Sequence, residues 1–215
     1  YHLHELYTKA DPVYTGRITV PTLWDIKKQT IVNNESSEII RMFNTAFNHL
    51  TESEADFYPK ELRAEIDEIN DLVYSNVNNG VYRTGFASTQ EAYEEAFDKL
   101  FSTLDLLEKK LNNSRYLTGG QLTEADWRLF STLLRFDIVY FSHFKCNKKH
   151  IYEYPNLWNF TLELYQYPGI ARITNFEQIK RGYYHLMPKL NPSGIVAKGP
   201  EINFNQPHDR EQFPR

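Results

Sequence analysis

A single thiol, Cys146, sits in the stretch His143-Phe144-Lys145-Cys146-Asn147-Lys148-Lys149-His150. Cations this close lower the pKa of an exposed thiol and make it a nucleophile. No helix N-terminus or fixed base accompanies it, so the pattern equally fits a small part-buried residue in a loop after a helix. The lysines and histidines would then serve the negative end of the helix dipole. A second cluster is Val32-Asn33-Asn34-Glu35-Ser36-Ser37, where a strand end runs into a helix start. Free amide groups, the positive helix end and two hydroxyls suit a carboxylate there, and Glu35 suits an ammonium group. Together they fit the α-amino acid end of a small peptide, although Asn34 and Ser37 would also serve as plain helix caps. Val20-Pro21 lies one hairpin upstream. A cis bond there would turn the Val20 backbone outward, free to pair with an extended peptide.

Other chemistries find no support. The histidines (His2, His4, His49, His143, His150, His185, His208) are scattered. They form no HExxH, and there is no second cysteine, so no metal site is expected. No phosphate-binding loop, dinucleotide glycine fingerprint or GxSxG elbow is present.

The elements that must position these groups fall into two styles. Residues 1 to 16 read as an irregular lead-in. Arg17 to Asp25 is β-branched and apolar at strand length, with Pro21 marking an edge or a special backbone position. Thr30-Ile31-Val32 reads as the return arm of a hairpin, too small a sheet to stand alone. From Asn34 onward the apolar period becomes helical, with a first stripe over about 35 to 49. Pro59 starts a helix striped by Leu62, Ile66, Ile69, Val73 and Val77, with Asn78-Asn79-Gly80 as its stop. Ser88 and Glu91 form a capping box for the next helix. Thr123 and Asp126 form another, with Leu122 placed to staple onto Trp127. The helix from 124 to 142 is apolar nearly all round and is the expected central helix of a bundle. Helices of about 155 to 166 and 176 to 185 follow, the latter capped by Asn175, and an extended tail begins at Pro188. The expected domains are therefore 1–50, 51–187 and a tail of 188–215.

Composition narrows the class. The chain has 215 residues and a net charge of -4, which argues against a nucleic-acid or polybasic membrane partner. Its longest apolar runs are far too short to span a bilayer. One cysteine rules out an internal disulfide and points to a reducing, cytoplasmic setting. Aromatics reach 15%, with 15 Tyr and 14 Phe, which suggests a ring-lined pocket or an aromatic core.

Val20-Pro21 followed by Glu35-Ser36 resembles the glutathione site of the glutathione transferase superfamily, and Thr123-Glu124-Ala125-Asp126 resembles that superfamily's capping box. Tyr14-Thr15-Gly16-Arg17, Asn33-Asn34-Glu35-Ser36-Ser37, Asn79-Gly80-Val81-Tyr82, Arg135-Phe136-Asp137, His143 to Asn147, Tyr154-Pro155-Asn156-Leu157 and Asn191-Pro192-Ser193-Gly194-Ile195 are similar to the glutathionyl-hydroquinone reductases, the xi class, over essentially the whole chain.

The resemblance implies a glutathione transferase fold: a partial thioredoxin-like α/β domain followed by an all-α helical bundle. It implies glutathione held by Arg17, Val20, Glu35 and Ser36, a hydroquinone pocket walled by Tyr82, Tyr140 and Tyr183, and a homodimer. The implied activity is reduction of glutathionyl-hydroquinones through a cysteine–glutathione mixed disulfide. The family nucleophile belongs to a Cys-Pro-Trp-Ala type motif, which these residues lack, and Cys146 matches a different family position. The expectation is a piece whose nucleophile lies upstream and which is inactive alone. A non-catalytic transferase-fold binding or interaction module is the alternative. A merely structural helical bundle is less consistent with the Glu35-Ser36 pair and the tyrosine set.

Overall fold

A computed structural model describes residues 2–52 and 54–214. The chain divides into two compact units, residues 1–59 and 60–215.

In the first unit, α1 spans His4–Ala10, where an irregular lead-in was expected. Its register places Tyr7 inward, 2% exposed. The strand expected over 17–25 shrinks to β1, Leu23–Asp25; Pro21, just before it, has no N–H to offer a ladder. It pairs antiparallel with β2, Thr30–Asn33, as a two-stranded sheet. The Asp25 carboxylate closes their turn by accepting from the amides of Lys27 and Lys28, each at 2.9 Å. Helix α2 covers Ser36–Thr45, shorter than the expected 35–49, and a separate 3-10 turn follows at Asn48–Leu50.

The second unit is helical. A 3-10 turn at Lys60–Leu62 leads into α3, Arg63–Val73. Asn78-Asn79-Gly80 does not stop the chain there. A π turn, Tyr74–Asn78, carries it directly into α4, Gly80–Gly85. The π turn is held by Asn79 N–H donating to Tyr74 O at 2.9 Å. Asn78 gains partners some fifty residues farther along the chain, the Arg128 carbonyl at 3.0 Å and Thr132 Oγ1 at 2.7 Å. Those tertiary bonds replace the helix-ending role its type suggests.

Helix α5 covers Gln90–Leu111, and its cap is Thr89 rather than Ser88. The Thr89 hydroxyl accepts from Ala92 N–H at 3.2 Å, one residue later than the sequence pattern indicates. Helix α6, Glu124–Arg135, starts with the expected capping box. Asp126 Oδ2 accepts from the Thr123 amide at 2.8 Å, and Oδ1 from the Leu117 amide at 2.8 Å. The single helix expected to 142 is broken by a second π turn, Phe136–Tyr140, before a last turn α7, Phe141–His143.

A 3-10 turn at Ile151–Glu153 precedes α8, Pro155–Gln166, with its proline in the first turn as expected. Then come α9, Ile170–Ile173, and α10, Phe176–Leu186, where the Asn175 side chain accepts from Gln178 N–H at 2.9 Å. The core lies where α3, α5, α6 and α8 meet, with Ile66, Val73, Leu104, Leu129 and Phe160 among its fully buried residues.

From Pro188 the backbone alternates extended stretches with turns, closed by the amides of Leu190 and Asn191 donating to Met187 O and that of Gly194 to Asn191 O, and ends in a 3-10 turn at Arg210–Gln212, yet it is firmly docked. Phe204 is 4% exposed and stacks on Phe176 with ring centroids 4.9 Å apart. Arg210 is fully buried and donates to the Ser114 and Arg115 carbonyls. Among the described residues no helix is long and apolar enough to cross a membrane, and no group of His, Cys, Asp and Glu could hold a metal ion.

Candidate functional site

In the first unit the Val20-Pro21 bond is cis, and Val20 is 77% exposed. β2 leads through Asn33 and Asn34 into α2, with Glu35 at the N-cap and Ser36 as the first helical residue, both exposed. Asn33 Oδ1 accepts from the Glu35 amide at 2.7 Å, so Asn33 makes the turn. Asn34 points inward instead, donating to Tyr7 Oη and Thr19 Oγ1, each at 3.3 Å. The capping role open to Asn34 in the sequence is therefore not the one it fills. The Ser36 and Ser37 amides lie in the first turn, where no intrahelical acceptor exists, so they remain available to an anion. The Tyr7 hydroxyl, which donates to the Thr19 carbonyl at 2.8 Å, ties α1 to the segment before the cis bond. Arg17 is exposed, and its guanidinium has no partner among the described residues.

In the second unit the three tyrosines converge. Tyr82 comes from α4, Tyr140 from the second π turn and Tyr183 from α10. The Tyr183 hydroxyl is the hub, 2.7 Å from that of Tyr82 and 2.7 Å from that of Tyr140. A π turn leads into α4, which carries Tyr82, and the second π turn ends on Tyr140, so both residues are reoriented relative to a regular helix.

Three O–H protons serve two bonds between hydroxyls, so one proton is left for an outside acceptor. Burial, followed by the charge Tyr183 would present, pushes the Tyr82 and Tyr140 hydroxyls well above the ordinary phenol range. They are proton donors at any physiological pH. Phe144 lies beneath the cluster, its centroid 5.2 Å from Tyr82, 5.2 Å from Tyr140 and 6.0 Å from Tyr183. Gly85 lets it sit there, because a Cβ on that residue would fall 2.5 Å from Phe144 Cγ.

Beside the cluster lies a cleft of about 720 Å³, bounded by α6, α9 and α10 and reached by Tyr82 and Tyr183. Trp127, Phe130, Ile170 and Ile179 give it apolar walls, and Arg135 also lines it. Phe144, Gly85 and Arg135 were not singled out as site residues in the sequence. Arg135 and Phe144 stood within similar stretches, but their packing and exposure depend on contacts between distant helices.

Cys146 is fully buried. Its sulfur lies 3.9 Å from the Val81 carbonyl and 3.8 Å from that of Phe144, and burial pushes its pKa up to about 12. The basic neighbours do not activate it, because the thiolate would have to form in the apolar interior.

Residues 90–161 match the family described as glutathione S-transferase, C-terminal domain. The chain is 56% identical to the solved xi-class glutathione transferase of Phanerochaete chrysosporium, with a TM-score of 0.92, covering 97% of this chain and 68% of that one. The chain belongs to the xi-class glutathione transferase family. Its fold is accordingly that of a glutathione transferase. Within this family it is 54% identical to the glutathionyl-hydroquinone reductase YqjG of Escherichia coli over 97% of its length. The glutathione-bound structure of YqjG superposes with a TM-score of 0.95 and covers 97% of this chain and 68% of that one. The glutathionyl-hydroquinone reductase PcpF of Sphingobium chlorophenolicum is 53% identical over 93% of the chain. The chain spans 64% of the length of each of these two curated relatives.

Proposed function

We propose that this chain supplies substrate recognition for glutathione-dependent reduction of glutathionyl-hydroquinones. The observation that carries the reading is the convergence of Tyr82, Tyr140 and Tyr183 on one hydroxyl hub with a proton to give. A ring oxygen of a hydroquinone is the acceptor that such a hub suits, and the aromatic walls suit its ring. Arg17, the outward Val20 backbone, Glu35 and Ser36 would hold glutathione. The Val20 N–H and the helix N-terminus of a partial thioredoxin-like domain would supply the backbone donors.

In the reaction, a cysteine thiolate attacks the glutathionyl sulfur. The bond from that sulfur to the ring breaks, the ring carbon takes a proton, and hydroquinone leaves. A second glutathione thiolate then attacks the mixed disulfide, regenerating the cysteine and releasing oxidised glutathione. Buried Cys146 is unsuited to the first step, so the nucleophile would come from outside these 215 residues, which would be inactive by themselves. The family resemblance carries with it a homodimer, and the single cysteine a reducing, cytoplasmic setting.

The lack of a reactive thiol among the described residues also favours a second reading, a transferase-fold module that binds without catalysis. Turnover of a glutathionylated hydroquinone by the full-length protein separates the two. Tyr183→Phe should lower kcat/KM by about 10- to 100-fold, with glutathione affinity changed less than twofold. Cys146→Ser should keep turnover. A silent Tyr183→Phe would refute the pocket assignment, and turnover lost in Cys146→Ser would show that the thiol was misassigned.

A further inference from the structure

The cleft beside the tyrosine hub has an uneven chemistry. Its walls are aromatic and aliphatic or carry uncharged polar groups, and Arg135 is the single charged residue lining it. Arg135 ends α6, immediately before the π turn that delivers Tyr140. Its Nη1 donates back to the Ser131 carbonyl at 2.5 Å, which anchors one edge of the guanidinium. No carboxylate among the described residues pairs with it. By contrast, Arg115 in the same unit holds Glu163 at 2.6 Å and Arg181 lies 3.6 Å from Glu177. A half-buried guanidinium with spare planar donors in a mostly apolar cleft is built to receive a planar anion.

We propose that Arg135 sets specificity by binding a carboxylate carried on the substrate's aromatic ring, so that the preferred substrates are acidic hydroquinones. The inference rests on the reading of the tyrosine hub as the hydroquinone site and names the substrate class that site takes. The hub holds one ring oxygen while Trp127, Phe130 and Ile179 flank the body of the ring system. A space of about 720 Å³ admits a fused bicyclic ring with a substituent, larger than a single ring needs. The Arg135 charge already reaches the hub. It draws the Tyr82 hydroxyl toward acidity, against the larger opposing effect of burial. An anion on Arg135 would therefore also be felt by the hydroxyl that donates to the ring oxygen.

The test uses 1,4-dihydroxynaphthalene-2-carboxylate and its uncharged methyl ester, held under anaerobic conditions. Binding to the full-length protein is read by tryptophan fluorescence quenching, without glutathione and without turnover. The carboxylate should bind about tenfold tighter than the ester, and in Arg135→Met the ratio of the two affinities should fall to about one. Arg135→Lys, a point charge without the planar fork, should restore only part of the preference. Equal binding of acid and ester by the unmutated protein overturns the proposal, as does a ratio that survives in Arg135→Met. If neither compound binds, the hydroquinone-site reading fails together with it. A preference for the acid with no turnover of its glutathione conjugate leaves the Arg135 assignment standing and sinks only the reductase reading.

Discussion

Residues 60–215 and residues 1–59 handle their polar groups in opposite ways. In the helical unit many buried polar side chains are tied to other side chains or to the backbone. Glu163 Oε1 accepts from Arg115 Nε and Nη2 at 2.7 and 2.6 Å and from the Tyr116 hydroxyl at 2.9 Å. The Glu108 carboxylate caps α8 through the Asn156 and Leu157 amides. The tyrosine hub belongs to the same style, because its members bond to each other before any ligand arrives. In the smaller unit the residues suited to a ligand are left outside. Arg17, Val20, Glu35 and Ser36 are exposed, and inward polar bonding centres on Tyr7, Thr19 and Asn34. Apolar side chains are exposed there too, with Ile26 at 78% and Phe43 at 55%. The difference separates two kinds of recognition. In the helical unit the groups that would read the substrate are part of what holds the helices together, whereas in the smaller unit they are not.

The sharpest way to break this comparison is Glu163→Ala. Removing the carboxylate leaves the Arg115 guanidinium buried without its partner, and unfolding free energy measured in urea should fall by about 3 to 5 kcal/mol. A loss below about 1 kcal/mol would mean that the buried network is not what holds this unit. Gly85→Ala should come next. Its new Cβ would lie 2.5 Å from Cγ of the fully buried Phe144, so the cost should be about 1 to 3 kcal/mol, with a change in the near-ultraviolet dichroism of the tyrosine cluster. An unchanged spectrum would show that Phe144 does not support the hydroxyl hub. The smallest stability effects belong to the other unit. Arg17→Ala and Ser36→Ala should each change stability by less than about 0.5 kcal/mol. Each should weaken glutathione binding about tenfold by calorimetry. If stability fell as much as binding, the contrast between the two units would collapse.

Much of this arrangement is legible in the sequence, in the places where local chemistry decides. The Thr123–Asp126 capping box, the Asn175 cap and the proline that opens α8 form where their residue types indicate, because each needs only neighbours a few positions away. The cis bond at Val20-Pro21 was raised by the proline in a strand-like run and is present. The failures share a cause. Asn78-Asn79-Gly80 reads as a helix stop, but Asn78 bonds to Arg128 and Thr132 across the bundle, and the chain continues through a π turn. The second π turn was hidden within an unbroken apolar run, since hydrophobic spacing does not distinguish a wide turn from a regular one. Helix α1 as a whole runs against the expected irregular lead-in, because its only buried side chain, Tyr7, gives no periodic stripe.

The sequence by itself determined the succession of a small hairpin region and a helical bundle, most of the helix starts, the glutathione transferase resemblance, and a single cysteine in basic company. Those follow from residue type, local spacing and stretches of similar sequence. Tertiary structure alone decided that Cys146 is inert, since its reactivity depends on burial rather than on the lysines beside it in the chain. It also decided that tyrosines 43 and 101 positions apart share one hydroxyl hub, and that Arg135 faces a cleft without a carboxylate partner. Hydrogen bonds and electrostatic pairing are set by distance in space, and for these residues only the packing of α4, α6, the second π turn and α10 fixes that distance.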